Sequence, residues 1–161
     1  MTTPTPTSGT PIPAGDPELE SRRRAFDAVF QRMRTDMVQA HLDDELGNLL
    51  HQLYKLGELC RLRLGKQKFA ALLKSSDDLR AARAAMWARK FDTHHLVRIK
   101  VATPPDTYND IYHDIYGAVV WKPLAEPDDD GRDQDYAALL EGRMVLDTTR
   151  RAFDALAVLL Q

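Results

Sequence analysis

Cysteine and long apolar runs are scarce in this sequence, and each shortage removes a class of protein. The 161 residues include one cysteine, Cys60, which excludes an internal disulfide framework and a cysteine-based zinc site. No apolar run approaches the roughly 18 residues of a membrane-spanning helix, and the N-terminus has no hydrophobic secretory core. We therefore expect a cytoplasmic protein without a membrane partner, in which Cys60 is a small buried apolar residue.

Motifs of several large enzyme classes are also missing. The sequence has no G-x-x-x-x-G-K or G-x-G-x-x-G loop for phosphates, no G-x-S-x-G elbow and no H-E-x-x-H pair. These absences argue against ATP hydrolysis, serine hydrolysis and zinc proteolysis. We expect no cofactor and no bound metal.

Charge is unevenly distributed along a chain whose net charge is only −2. Residues 61–100 carry 11 basic and 3 acidic side chains, net +8, whereas residues 1–60 are net −3 and residues 101–161 net −7. The basic segment could attract phosphates. The alternative is that it packs beside the acidic C-terminal part, so that the two fields largely cancel. Arginine outnumbers lysine 15 to 7, a composition typical of GC-rich bacterial genes.

The chain divides into a polar tail and one domain. Residues 1–16 are rich in Pro, Thr and Gly, so they cannot bury enough apolar surface to fold and are predicted to be disordered. Asp16 is a predicted helix N-cap, followed by Pro17 at the first helical position. Residues 17–161 are predicted to form a single helical domain.

Hydrophobic spacing predicts long amphipathic helices before residue 91. Gly65 is a plausible helix end, and Gly47 and Gly57 would allow close approach of a second helix. Ser75 or Ser76 could cap a further helix, although residues 68–91 could also form one kinked helix. The apolar positions of the first two helices are Phe26, Val29, Phe30, Met33, Met37, Val38, Leu42, Leu46, Leu49, Leu50, Leu53, Leu56 and Leu59 or Cys60.

The helical hydrophobic pattern ends at about residue 91. Residues 96–102 and 117–123 resemble strands and could pair as a small β-hairpin, while residues 124–135 read as an acidic loop. "YAALLEG" predicts a short helix, and a final helix is predicted to be capped near Asp147. Its core face would hold Ala152, Phe153, Leu156, Leu159 and Leu160. The expected fold is mainly all-α, an up-down helical bundle of four to five helices.

The segment "WARKFDTHHL" (87–96) carries the most specific chemical hypothesis. Arg89 precedes His94 by five residues and His95 by six. An arginine offers donors that match phosphate oxygens, and a histidine exchanges protons near neutral pH. In a continuous helix these side chains would diverge, but a bend at Asp92 and Thr93 would bring Arg89 and one histidine into one cleft. The alternative is a basic helix end followed by a polar turn.

An arginine followed after four to six residues by histidine, within a small helical bundle, resembles the HEPN superfamily. Members are all-helical and often homodimeric; many are metal-independent ribonucleases of toxin–antitoxin or phage-defence systems, and others bind nucleotides or partners without catalysis. The resemblance implies RNA cleavage with Arg89, His94 and His95 as candidate catalytic residues. Lys90 stands where active members commonly carry a small polar residue.

Further residues are candidates for substrate binding around this pair. Four basic side chains, Arg83, Lys90, Arg98 and Lys100, would contact phosphates, and Tyr112 with His113 could contact bases or support the site. Tyr108, Tyr112 and Tyr116 are spaced by four residues, and this stripe could equally belong to the core. His41 and His51 are predicted to be surface or interhelical polar contacts.

The C-terminal half, with "VWKPL" and "GRDQDYAALLEGR", is similar to a family of uncharacterised bacterial proteins, which implies one complete unit and no established activity. RNA, a second copy of the chain and an antitoxin or other protein are the expected partners. The alternative to an endoribonuclease is a non-catalytic helical module that binds proteins or nucleotides.

Overall fold

The computed structural model describes residues 15–35, 39–91, 96–100, 118–124 and 131–161, with the backbone alone for 39–40, 97–100 and 118. The described part is mainly helical, as predicted, with six helices and a pair of short strands. The elements in chain order are α1 (Pro17–Thr35), α2 (Gln39–Leu64), α3 (Lys66–Leu72), α4 (Asp77–Ala88), β1 (Val97–Lys100), β2 (Ala118–Trp121), α5 (Arg132–Leu139) and α6 (Val145–Val158). None of the described helices is long and apolar enough to cross a membrane.

Several predicted helix boundaries are confirmed by hydrogen bonds and backbone angles. Asp16 accepts from the backbone N–H of Glu18 at 3.0 Å and caps α1. Ser76 caps α4 by accepting from the N–H of Leu79 at 3.3 Å. Gly65 separates α2 from α3 with φ of +84°, a conformation that glycine adopts without steric cost. The predicted tail falls almost entirely outside the described residues.

Two boundaries differ from the prediction. α5 begins at Arg132, so the end of the predicted acidic loop is helical. Gly131, with φ of +78°, is the N-cap of this helix. The carboxylates of Asp133 and Asp135 in the first turn interact favourably with the positive end of the helix dipole. The last helix begins at Val145, so Asp147 lies in its first turn and does not cap it. The break between the short α3 and α4 raises the number of helices in the described residues to six, above the expected four or five.

The core is built around the leucine-rich face of α2. Its predicted apolar positions are all buried, and Cys60 donates its thiol hydrogen to the Leu156 carbonyl at 3.4 Å. Burial raises the pKa of Cys60 to about 11, so it is a structural residue as predicted. Phe26 of α1 stacks on Phe153 of α6 with ring centroids 4.2 Å apart. α2 therefore contacts α1, α3, α4 and α6.

Ion pairs at both ends align α1 with α2. Arg63 near the end of α2 contacts Asp16 at the start of α1. At the other end, Arg32 donates two hydrogen bonds to the Glu45 carboxylate at 2.7 and 3.0 Å. The two helices are therefore antiparallel. These pairs are solvent-exposed, so they contribute little stability and mainly specify the alignment.

The two predicted strand segments pair in antiparallel fashion, with Val97 opposite Trp121 and Lys100 opposite Ala118. Trp121 is fully buried and donates from Nε1 to Thr148 Oγ1 of α6 at 2.8 Å. Tyr136 of α5 donates its hydroxyl hydrogen to the Lys122 carbonyl at 2.8 Å. The strand pair is thereby fastened to α5 and α6.

A buried carboxylate holds α5 against α4. Asp135 is nearly inaccessible, with 6% of its side chain exposed, and lies 2.7 Å from Arg80 and 2.8 Å from Arg83. Arg83 also donates to the Gly131 carbonyl at 3.1 Å. Removing Asp135 would leave Arg83 without its ion-pair partner in a partly desolvated place, whereas Arg80 would keep its ion pair with Asp77 at 3.1 Å. Both arginines keep some solvent contact, which reduces that cost.

We expect Asp135→Ala to lower the free energy of unfolding by about 2 kcal/mol, because both arginines lose their shared partner. Urea denaturation monitored by circular dichroism measures this change. Asp133→Ala, in the same helical turn but less buried, is the matched control and should change stability by less than about 0.5 kcal/mol. Equal effects of the two substitutions would contradict a central role for Asp135.

Candidate functional site

The predicted site residues fall partly inside and partly outside the described structure. Arg83 lies on α4, and Arg89 and Lys90 follow its last residue, Ala88. Arg98 and Lys100 lie on β1, with side chains outside the description. The predicted residues outside the described ranges are His94, His95, Tyr112 and His113. The pairing of Arg89 with His94 or His95 therefore stays a prediction.

Arg89 and Lys90 border an open groove between α2 and the end of α4. The groove encloses a cavity of about 560 Å³, within the size range of small-molecule sites. Cationic side chains from two parts of the chain, the end of α4 and the start of α5, meet here. The lining residues are Gly47, His51, Met86, Trp87, Arg89, Lys90 and Arg132.

Arg89 is positioned by two side chains of α2. Its guanidinium carbon lies 3.8 Å from the centroid of the Tyr54 ring, and its Nη1 lies 3.3 Å from His51 Nδ1. His51 and Tyr54 are three residues apart on a helix, so they share one face. The ring of Tyr54 attracts the cation through its π-electrons. Among the described carboxylates, none forms an ion pair with Arg89.

The contact with Arg89 specifies the protonation of His51. A guanidinium has donors only, so Nδ1 must accept and the ring proton of the neutral histidine lies on Nε2. The pKa of His51 is lowered, chiefly because burial penalises the charged ring and further because Lys55, Arg89 and Arg22 repel a positive charge. His51 is therefore neutral at pH 7 beside a permanent cation.

Lys90 covers an aromatic pair at the same end of α4. Its Nζ lies 4.7 Å from the Trp87 ring centroid and 5.2 Å from that of Phe91. The two rings meet edge to face with centroids 4.9 Å apart. These contacts hold the ammonium group at the rim of the groove.

A second, smaller cavity of about 200 Å³ adjoins the groove and shares Met86, Trp87 and Arg132 with it. Its lining is largely apolar and comprises Tyr54, Gly57, Glu58, Phe69, Leu73, Arg83, Met86, Trp87 and Arg132. Arg83 reaches this lining while its Nη2 is engaged by Asp135 and the Gly131 carbonyl. Arg83, predicted to contact phosphate, is thus paired with an acidic residue of the C-terminal part, as the charge-cancelling alternative expects.

Gly57, one of the two glycines predicted to allow close approach of a second helix, lines the smaller cavity. A β-carbon at Gly57 would collide with Met86 Sδ and lie 3.8 Å from Phe69 Cζ. Gly57 therefore lets Met86 of α4 lie directly against the backbone of α2. The close contact predicted for this position is confirmed.

Sequence reasoning missed three residues of the site: His51, Tyr54 and Arg132. His51 was predicted to make a surface or interhelical polar contact, and its contact with Arg89 does join α2 to the end of α4. The spacing of Gly47, His51 and Tyr54, by four and then three residues, marks a second stripe on α2. That stripe was the available signal.

Within the described ranges, no group of three or more His, Cys, Asp or Glu side chains is arranged to hold a metal ion. No family model, no curated protein and no solved structure matches this chain. The site is therefore interpreted from its own geometry.

We expect His51 to titrate below its ordinary pKa of 6.5. Arg89→Gln should raise this pKa by removing a nearby cation, but should leave it below 6.5 because burial is the larger cause. NMR titration of the histidine ring protons measures both values. Arg34→Gln, an exposed arginine on α1, is the control. A His51 pKa above 6.5 in the wild-type protein would contradict the described environment.

The same shift predicts how stability depends on pH. The unfolded chain binds more protons than the folded chain between the lowered pKa and 6.5, so His51 makes stability fall as the pH drops below 6.5. His51→Asn should reduce this loss. Urea midpoints at pH 7.5 and 5.5 measure it, and an unchanged pH dependence in the variant would contradict the assignment to His51.

Proposed function

We propose that this groove binds the phosphodiester backbone of RNA and that Arg89 and a histidine cleave it without a metal ion. The observation that carries the proposal is the placement of Arg89 against His51 and Tyr54, beside Lys90 and Arg132. The permanently charged guanidinium of Arg89 and the neutral ring of His51, which can accept a proton, meet at the edge of one open cavity. Phosphate binding needs the first group, and proton abstraction needs the second.

The proposed reaction is transfer of the phosphoryl group within the RNA chain. His51 removes the proton from the 2′-hydroxyl, and the 2′-oxygen attacks the adjacent phosphorus. The bond from phosphorus to the 5′-oxygen breaks, the leaving oxygen takes a proton, and a 2′,3′-cyclic phosphate remains. Arg89 stabilises the charge that develops on the phosphoryl oxygens.

The hydrogen bond between Arg89 and His51 would be exchanged when a phosphate enters. Arg89 turns its donors to the anion, which frees Nδ1 of His51 to accept the hydroxyl proton. The anion also offsets the positive charges that lower the pKa of His51. Substrate binding therefore activates the base. His94 or His95 is the proposed acid, in keeping with the resemblance to HEPN proteins.

The remaining parts of the proposal concern the setting of the activity. We infer a cytoplasmic homodimer whose two subunits contribute to one cleft, regulated by an antitoxin or another protein partner. A toxin or phage-defence role follows from the same resemblance.

A non-catalytic nucleotide-binding module is the second candidate. It is favoured by Lys90, which stands where active HEPN members carry a small polar residue, and by the engagement of His51 Nδ1 with Arg89. Both features suit a site that holds a phosphate without moving a proton. The cleavage experiment below separates the two candidates.

We expect the purified protein to cleave RNA in the presence of EDTA. Arg89→Ala should slow cleavage by about 10²–10³-fold through loss of charge stabilisation, and His51→Asn by about 10²–10⁴-fold through loss of the base. The double variant His94→Ala/His95→Ala should lose activity comparably. Gel analysis of labelled RNA, with detection of the cyclic phosphate end, measures each rate.

Two substitutions serve as matched controls for this assay. Arg34→Ala removes an exposed arginine of α1, and His41→Asn changes another histidine of α2; both should retain wild-type rates. Thermal unfolding confirms that each variant is folded. Wild-type protein that is inert while it still binds RNA would favour the non-catalytic module, and cleavage unaffected by Arg89→Ala would refute the proposed site.

We also expect RNA affinity to depend on salt in proportion to the phosphate contacts made. The slope of log affinity against log salt concentration is negative. Each lost contact with a phosphate of single-stranded RNA makes it less steep by about 0.7. In a His51→Asn background, in which cleavage is slow, Arg89→Ala should make the slope less steep by about this amount and Arg34→Ala should not. Fluorescence anisotropy with labelled RNA measures the slope, and an unchanged slope would place Arg89 outside the phosphate path.

A further inference from the structure

The smaller cavity beside the cationic groove has a different chemical character. Tyr54, Phe69, Leu73, Met86 and Trp87 provide apolar and aromatic lining. The described carboxylate in this lining, Glu58, is neutralised by Arg61, with its Oε2 2.8 Å from Arg61 Nη2. The cavity thus offers a mainly apolar surface directly beside a cationic one.

Tyr54 and Trp87 connect the two cavities. Tyr54 carries the guanidinium of Arg89 on one side and lines the smaller cavity as well. Trp87 lines both cavities. A ligand that has an anionic end and a flat apolar end would therefore contact both cavities at once.

Trp87 contributes an unsatisfied hydrogen-bond donor. The residue is 6% exposed, and its Nε1 is shielded from solvent without a partner among the described residues. A buried donor without an acceptor costs free energy that an acceptor on a ligand would restore. Because Nε1 is shielded, a ligand acceptor reaches it only after a neighbouring side chain moves. Met86 lines both cavities together with Trp87, and its unbranched thioether can adopt other rotamers.

We propose that the smaller cavity binds one nucleobase of the nucleotide whose phosphate lies against Arg89. The inference rests on the proposed function, because it assumes that the groove takes a nucleic-acid phosphate. The base would stack on the aromatic lining and accept a hydrogen bond from Trp87. This subsite would give the protein a preference for a nucleoside phosphate over the same phosphate without a base.

Gly57 sets the size of this subsite without contributing charge. It lines the smaller cavity and contacts Met86. A larger side chain at position 57 must displace Met86 or occupy the cavity itself. Substitution there separates binding of the base from binding of the phosphate, because Arg89 is unchanged.

The test compares adenosine 5′-monophosphate with ribose 5-phosphate by isothermal titration calorimetry. We expect the wild-type protein to bind the nucleotide at least about 10-fold more tightly, a ratio typical of one stacked base. Gly57→Leu should abolish this ratio while ribose 5-phosphate binds as before. Arg89→Ala should weaken both ligands. Leu62→Ala, an exposed position of α2 at 72% exposure, is the control and should change neither.

Equal affinity of the wild-type protein for the two ligands, or binding of neither, would overturn the base subsite. So would a ratio that survives in folded Gly57→Leu protein. If Gly57→Leu does not fold, Trp87→Phe replaces it. This change removes the Nε1 donor but keeps a flat ring, so it should lower only the affinity for the nucleotide. An unchanged ratio of the two affinities would refute the role of Trp87. A nucleotide preference without RNA cleavage would support the subsite and refute the ribonuclease.

Discussion

Burial of the leucine face of α2 is the constraint from which the remaining structure follows. Its leucines are inaccessible to solvent and contact helices on several sides, and each buried leucine contributes about 1.5–3 kcal/mol. With this face committed to the core, the stripe of Gly47, His51 and Tyr54 must lie elsewhere on the helix. It meets the end of α4, which brings Arg89 to His51 and creates the groove.

The basic middle of the chain is divided by the fold between two uses. Arg80 and Arg83 are drawn to Asp135 of the acidic C-terminal part, as the charge-cancelling alternative expects. Arg89 and Lys90 instead contact aromatic rings at the rim of the groove. The charge-cancelling alternative therefore holds for Arg80 and Arg83, whereas attraction of phosphates by Arg89 and Lys90 stays a prediction. The division arises because Asp135 lies beside α4 upstream of the groove.

The proposed chemistry uses the same features that shape the fold. A neutral histidine beside an arginine is favoured by burial and by the surrounding cations. The close contact at Gly57 brings Met86 against α2 and leaves a mainly apolar cavity next to the cationic one. A phosphate and a base attached to it would therefore find complementary surfaces side by side, which is the basis for both proposals about nucleotides.

Local chemistry in the sequence determined the helical class, the cap at Asp16, a cap at Ser75 or Ser76 and the break at Gly65, because periodic burial and backbone hydrogen bonding act over a few residues. The strand segments were also evident from their alternation. Tertiary structure alone decided that His51, 38 residues from Arg89 along the chain, would be its neighbour. A single sequence does not encode such a contact in any local pattern, because it depends on how α2 is rotated against α4 by burial of the leucines.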